Sequence, residues 1–324
     1  MHASGLRAAD RLRLRLAPVI TVIGEALVDI IVDTEGEVTS VVGGAPLNTA
    51  RTVARLGIPA TFLGGVSTDS FGSRMMRLLE HDGVRLGLGH RVPEPTTLAI
   101  AQIDEGGAAT YRFMMEGTSA AAVTPQMALD HITPDCRVVH VGTLGLVLQP
   151  LADASIAVVA DADDDVLVMV DPNCRPSVMT DSPVFRGALD AVLGRADIVK
   201  VSGDDLEFLF PGIDTLDAAI LLQVETGAVV LFTDGANAVH VIDADVDVVL
   251  DVPRVPVVDT VGAGDSFSGG FLAYWMHKGL GRGQVHSTDH VVSAATFGIA
   301  VAGITCQRAG ANPPHIDEVP GGWA

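Results

Sequence analysis

Along the chain, short runs of consecutive apolar residues alternate with longer stretches in which apolar positions return every third or fourth residue. The runs at 19–23, 61–65, 138–141, 166–170, 198–201 and 229–232 read as strands buried on both faces. The periodic stretches at 47–56, 71–81, 151–159, 184–193, 205–210, 216–225, 263–276 and 291–301 read as helices. Apolar strands separated by helices predict an α/β fold: a doubly wound, mainly parallel sheet with helices on both faces. Two stretches break the rhythm. Residues 26–42, and 96–115 around the turn Asp104-Glu105-Gly106-Gly107, are extended with no helix between and predict a small β-lid. No repeat or linker divides the chain, so 18–324 are expected to form one domain behind an N-terminal extension over 1–17.

Charge narrows the partners. The 40 acidic and 20 basic residues leave a net charge of −20, opposite in sign to the field a phosphate-backbone binder needs, so nucleic acid is not an expected partner. A hydrophobic share of 48% supplies a sizeable core. No apolar run approaches the ~18 residues that span a bilayer, so no membrane partner is expected either. Cys136, Cys174 and Cys306 show no Cys-x-x-Cys spacing, which fits a reducing compartment, and a cytoplasmic location is expected. Arg7, Arg11, Arg13 and Arg15 precede too short an apolar segment to read as a signal peptide.

Several familiar motifs are missing. Lys200 is followed by Val201 and Lys278 by Gly279, so neither lies in the Gly-Lys-Ser/Thr of a P-loop. Phe267 stands where a dinucleotide fingerprint begun at Gly262 and Gly264 would need its third glycine. His90-Arg91 continues with Val92 rather than the Asp of a protein-kinase catalytic loop. His286 and His290 read as a solvated face. Asp161, Asp163, Asp164 and Asp165 lack the glycine and closing Glu of a calcium loop and read as an acidic turn.

The informative segment runs Asp259-Thr260-Val261-Gly262-Ala263-Gly264-Asp265-Ser266-Phe267, a strand end and two glycines opening a helix. Glycines let a ligand approach the backbone, and unpaired N–H groups at a helix start attract anions. Asp265 then sits where a carboxylate accepts a proton from a hydroxyl while the N–H groups receive charge on a phosphoryl group; the plain alternative is a favourable first-turn acid. A second glycine-rich helix start, Val42-Gly43-Gly44-Ala45-Pro46-Leu47-Asn48, places Asn48 one turn inside, with a donor and an acceptor suited to a neutral polyol.

Together the two segments resemble the signatures of the PfkB, or ribokinase, family of carbohydrate kinases, and the likeness runs from Gly24-Glu25-Ala26-Leu27-Val28-Asp29 to Arg308-Ala309-Gly310-Ala311. The resemblance implies a ribokinase-like kinase domain in which Asp265 is the catalytic base and Gly262, Ala263 and Gly264 form the anion hole. It implies Asp29, Gly44 and Asn48 as sugar ligands and Thr233 and Gly235 as ATP contacts. Asp171-Pro172-Asn173-Cys174-Arg175-Pro176 is similar to the fructokinase and 2-keto-3-deoxygluconate kinase branches, which adds Asn173 and Arg175; Arg112 is expected to reach the substrate from the lid. The family's Asn-x-x-Glu element, which organises Mg2+ through water, is here Ser202-Gly203-Asp204-Asp205, with Asp205 at the Glu position. Asp259 and the carbonyl of Val261 match a monovalent-cation site, so K+ joins ATP and Mg2+ among the implied cofactors. A homodimer through the lid is implied as well.

The function expected is therefore an ATP-dependent sugar kinase with fructose favoured, 2-keto-3-deoxygluconate or another sugar or nucleoside of the family being the alternative. Two rivals from other classes are a non-catalytic sugar-binding module and a serine esterase using Gly264-Asp265-Ser266.

Overall fold

The computed structural model describes residues 17–103, 109–244 and 246–323; residues 1–16 of the expected extension and the expected turn at 104–107 lie outside the described residues. The strands in chain order are β1 (Val19–Ile23), β2 (Leu27–Val32), β3 (Val38–Gly43), β4 (Ala60–Leu63), β5 (Arg85–Leu86), β6 (Thr97–Ile103), β7 (Ala109–Met114), β8 (Cys136–Gly142), β9 (Leu167–Asp171), β10 (Ile198–Ser202), β11 (Val229–Thr233), β12 (Ala238–Asp243) and β13 (Val246–Asp251). The helices are α1 (Ala45–Arg55), α2 (Ser70–Asp82), α3 (Pro125–His131), α4 (Leu151–Asp161), α5 (Pro176–Met179), α6 (Pro183–Leu193), α7 (Gly203–Leu209), α8 (Thr215–Thr226), α9 (Ala263–His277) and α10 (Thr288–Thr305).

The main sheet has nine strands in the order β13-β12-β11-β10-β9-β8-β1-β4-β5. It is parallel from β11 to β5, and the hairpin β12–β13 adds antiparallel pairs at one edge. Period-two alternation within its strands feeds two cores. Val168 and Val170 of β9 face the cluster that includes Leu151 of α4 and Phe185 of α6, whereas Leu167 and Met169 face Phe271 and Trp275 of α9. Parallel strands put their carboxyl ends on one edge, so Ile23, Asp171, Ser202 and Thr233 finish side by side, where open α/β sheets hold ligands. No described helix is long and apolar enough to cross a membrane.

The two rhythm-breaking stretches form a separate four-stranded sheet, β3-β2-β6-β7. Its register sets its faces: Val41, Asp29, Ala99 and Phe113 form one row, and Ser40, Ile30, Ile100 and Arg112 form the next row, on the opposite face. The pattern did not reveal the hairpin β12–β13 or helix α3. In β13 the alternation of Val with Asp gives a half-exposed edge strand instead of a continuous apolar run.

Candidate active site

Helix α9 begins abruptly behind Gly262. That residue has φ +78°, and a Cβ there would lie 2.6 Å from Cβ of Ala311, so both backbone conformation and space require glycine. The turn leaves the N–H groups of Gly264 and Asp265 at the first turn of a 15-residue helix, with no carbonyl one turn earlier inside it. Helix α1 opens in the same manner behind Gly44, at φ +112°. The two helices cross closely, because a Cβ at Gly269 would sit 2.5 Å from Cβ of Thr52.

This crossing joins the two motifs. Asn48 Nδ2 donates to Asp265 Oδ2 at 2.9 Å, across 217 positions of sequence. Both side chains are buried, and Asn48 Oδ1 is an acceptor with no partner. Burial pushes the Asp265 carboxyl above the usual range, opposed by the Asn48 hydrogen bond and by the charges of Lys200 and Arg175.

The sequence reading passed over Lys200, Asp171 and Glu25. Lys200, on β10, is fully enclosed and pairs with Asp171 Oδ2 at 3.2 Å on the neighbouring strand. A Cβ at Gly264 would lie only 3.0 Å from Lys200 Nζ, so the ammonium sits directly against the first turn of α9. Burial alone would lower its pKa, but Asp171, Asp205 and Asp265 raise it, and the ammonium stays charged. Burial lifts Asp171 to about 6, moderated by Lys200. Glu25 lies just past β1, where Gly145 N donates to its Oε2 at 3.2 Å, and burial pushes its carboxyl to about 8. Lysine in an all-apolar strand was the available signal: Lys200 is the one charge in Ile198–Ser202 and has no solvent to face.

Around this centre, Asp29 is raised to about 6 by burial, with Arg175 acting in the opposite direction. Arg175 Nη1 donates to Asn173 Oδ1 at 2.6 Å, and its charge is felt at Glu25, Asp29 and Asp265 alike. Asp205 closes a capping box with Ser202: its Oδ2 accepts from Ser202 N at 2.8 Å and Ser202 Oγ at 2.7 Å, and its Oδ1 from Cys174 N at 2.6 Å. Thr233 is in register with Ser202, and Gly235 follows in the turn at φ +55°. Asp259 braces its surroundings, accepting from Val261 N at 3.0 Å and Gly310 N at 2.8 Å. Among the described residues no group of three or more His, Cys, Asp or Glu side chains could hold a metal ion.

The structure also places Arg112 and the esterase rival's Ser266. Arg112 is not brought to this cleft with Asp29: one residue away from Phe113 in register, it is exposed on the opposite face of the small sheet. Ser266 is 1% exposed, and its Oγ accepts from Thr305 Oγ1 of α10 at 2.9 Å, so it ties two helices together and cannot serve as an esterase nucleophile.

Residues 18–318 match the pfkB family carbohydrate kinase model. The chain belongs to that family. It is 34% identical over 272 residues to a fructokinase of Rhizobium leguminosarum bv. trifolii, covering 82% of each chain. The crystal structure of fructokinase with bound ATP from Xylella fastidiosa superimposes with a TM-score of 0.81 at 26% identity, covering 91% of this chain and 94% of that one. The fructokinase from Vibrio cholerae O395 in its fructose-, ADP- and calcium-bound form gives a TM-score of 0.80 at 25% identity and the same coverage. This pfkB carbohydrate kinase is accordingly a phosphotransferase acting on a sugar hydroxyl, on the expected α/β fold.

Proposed function

We propose that this kinase transfers the γ-phosphate of ATP to a hydroxyl of fructose. The observation that carries the reading is the buried Asn48–Asp265 hydrogen bond at the glycine-capped start of α9: Nδ2 holds the carboxylate, and Oδ1 is left for a donor such as a sugar hydroxyl. Asp265 takes the hydroxyl proton, the alkoxide oxygen bonds to the γ-phosphorus, and the bond to the β-phosphate oxygen breaks to release ADP. The N–H groups of Gly264 and Asp265, with Gly262 and Ala263 shaping the turn, receive the charge on the transferring group. Asp29, Gly44, Asn173 and Arg175 position the sugar, and Thr233 and Gly235 position the nucleotide. We treat 18–324 as one kinase domain whose small sheet is the lid over the sugar.

Mg2+ would neutralise charge on the nucleotide phosphates. A cation of this type keeps several waters and needs no protein cage, and Asp205 Oδ1, which accepts one hydrogen bond of the two it can take, leaves room for a water-mediated contact. Asp259 and the Val261 carbonyl are the proposed holders of K+. Exposed Val38 and Met114, which share the face of the small sheet opposite Asp29, support pairing of two copies through the lid. A cytoplasmic setting suits a chain with three free cysteines.

The test is sugar-dependent ADP formation over a sugar panel. Fructose is expected to show the highest kcat/KM, and a far higher value for 2-keto-3-deoxygluconate would reverse the assignment. Asp265→Asn keeps shape and a hydrogen-bonding group but cannot take the proton, so it should bind both substrates within a few-fold of the parent and lose kcat by roughly 10²–10⁴-fold. Near-normal turnover by this variant would sink the mechanism and favour a binding module or another base.

A further inference from the structure

Beside the anion-hole turn, but lined by none of the residues proposed to touch sugar or ATP, lies a cavity of about 570 Å³. That volume falls in the range of about 300–1,000 Å³ typical of small-ligand sites. Its charged lining is four arginines, Arg51 and Arg55 from α1 and Arg74 and Arg77 from α2, with His81 and Asn312 as further polar walls and no acidic residue among them. In a chain of net charge −20 such a concentration of arginine is against the background.

The arginines divide into two pairs. Arg51 and Arg55 form the fixed floor: both pair with the buried Asp82, at 2.7 and 2.9 Å, leaving one net positive charge. Arg51 Nη1 also donates to Ala311 O at 3.0 Å, and Arg55 Nη1 to Asn312 Oδ1 at 2.7 Å. Arg74 and Arg77, one helical turn apart and both exposed, form the rim. Arg74 Nη1 donates to Ser40 O and Ser40 Oγ at 2.9 Å each, which leaves its other nitrogen donors open. Arg77 is in neither a hydrogen bond nor an ion pair among the described residues. Two guanidinium forks over a positive floor match the planar, bidentate recognition of a phosphate group.

We propose that this cavity is a second ligand site, separate from the cleft at Asp265, that binds a phosphate group, free or carried on a small sugar. An occupant would rest on the residues that wedge Gly262, because Ala311 is both a wall of the cavity and the neighbour that excludes a side chain there. The site stands on the cavity alone and does not depend on the kinase reading.

Calorimetric titration of the full chain with inorganic phosphate and, separately, with fructose 6-phosphate tests it, each with and without a non-hydrolysable ATP analogue. A component that persists in the analogue is expected, and the double variant Arg74→Gln, Arg77→Gln should weaken it by at least about tenfold. Both side chains are exposed, and a thermal melt confirms that the variant folds. Tighter binding of fructose 6-phosphate identifies the carried phosphate; equal binding identifies free phosphate. Loss of all binding in the presence of the analogue, or unchanged binding in the double variant, overturns the proposal.

Discussion

At the scale of single residues, the centre is one ammonium among carboxylates. Lys200 Nζ faces Asp171 from β9, Asp205 from α7 and Asp265 from α9, with neutral His140 from β8 alongside, its pKa driven by burial and by Lys200 down to about 3. Without that ammonium, Asp265 would bind its proton more tightly, because burial already favours the neutral acid. Lys200→Met should therefore move the acid limb of the kcat profile to higher pH, with a roughly tenfold loss on that limb for each pH unit moved, while Lys200→Arg stays near the parent. An unmoved profile in a folded Lys200→Met enzyme would reduce Lys200 to a packing role. Glu25 makes a different prediction, about stability. Its carboxyl is raised from 4.5 to about 8, so the folded chain keeps a proton that the unfolded chain releases. That contribution is fully present below about 4.5 and is lost as pH rises through about 8. Glu25→Gln should flatten the fall of Tm with pH across this window; an identical slope in parent and variant would show that Glu25 does not titrate there.

At the scale of elements, the sequence was legible wherever one physical requirement dominated. Strands buried on both faces must be apolar throughout, so β8 to β11 stood out, and α9 was bounded correctly at Ala263 because glycine precedes it. The edge hairpin did not show, since its strands mix His and Asp with Val, and His240 and Asp247 meet across 3.1 Å. The face that Arg112 takes was not legible for a related reason: pattern reveals that a stretch is a strand, but the face of a residue depends on register with partners far away in sequence. Lys200 was overlooked because its partners arrive from other strands and helices. The start of α9 yields a sharp expectation. Gly262→Ala forces an L side chain into the left-handed region, at a cost of about 1–2 kcal/mol, and drives its Cβ into Ala311. Displacement of the turn should lower kcat by up to roughly 10²-fold, more than it raises the sugar KM. A Gly262→Ala enzyme with parental kcat would show that the turn's geometry is not critical.

At the scale of the whole molecule, Asp82 is the anchor that binds α2 to α1: Arg51, Arg55 and His81 all converge on a carboxylate with no exposed side-chain surface. Its hydrogen bonds and the arginine charges outweigh burial and hold it below the usual carboxylate range. Asp82→Ala strands two arginines against each other and should lower the unfolding free energy by about 3–5 kcal/mol, measurable by urea denaturation. A loss below about 1 kcal/mol would place this cluster with ordinary surface pairs. The Asn48–Asp265 bond also has a consequence for how the enzyme comes into being. Its partners are separated by 217 positions, and the intervening chain supplies most of the main sheet. Such a contact is closed late, after many shorter loops. During synthesis, Asn48 emerges long before Asp265. In refolding from denaturant, helical signal should return ahead of sugar-dependent turnover, and with Asp265 as the proposed base an N-terminal fragment ending before residue 265 should show no sugar-dependent turnover, however well folded.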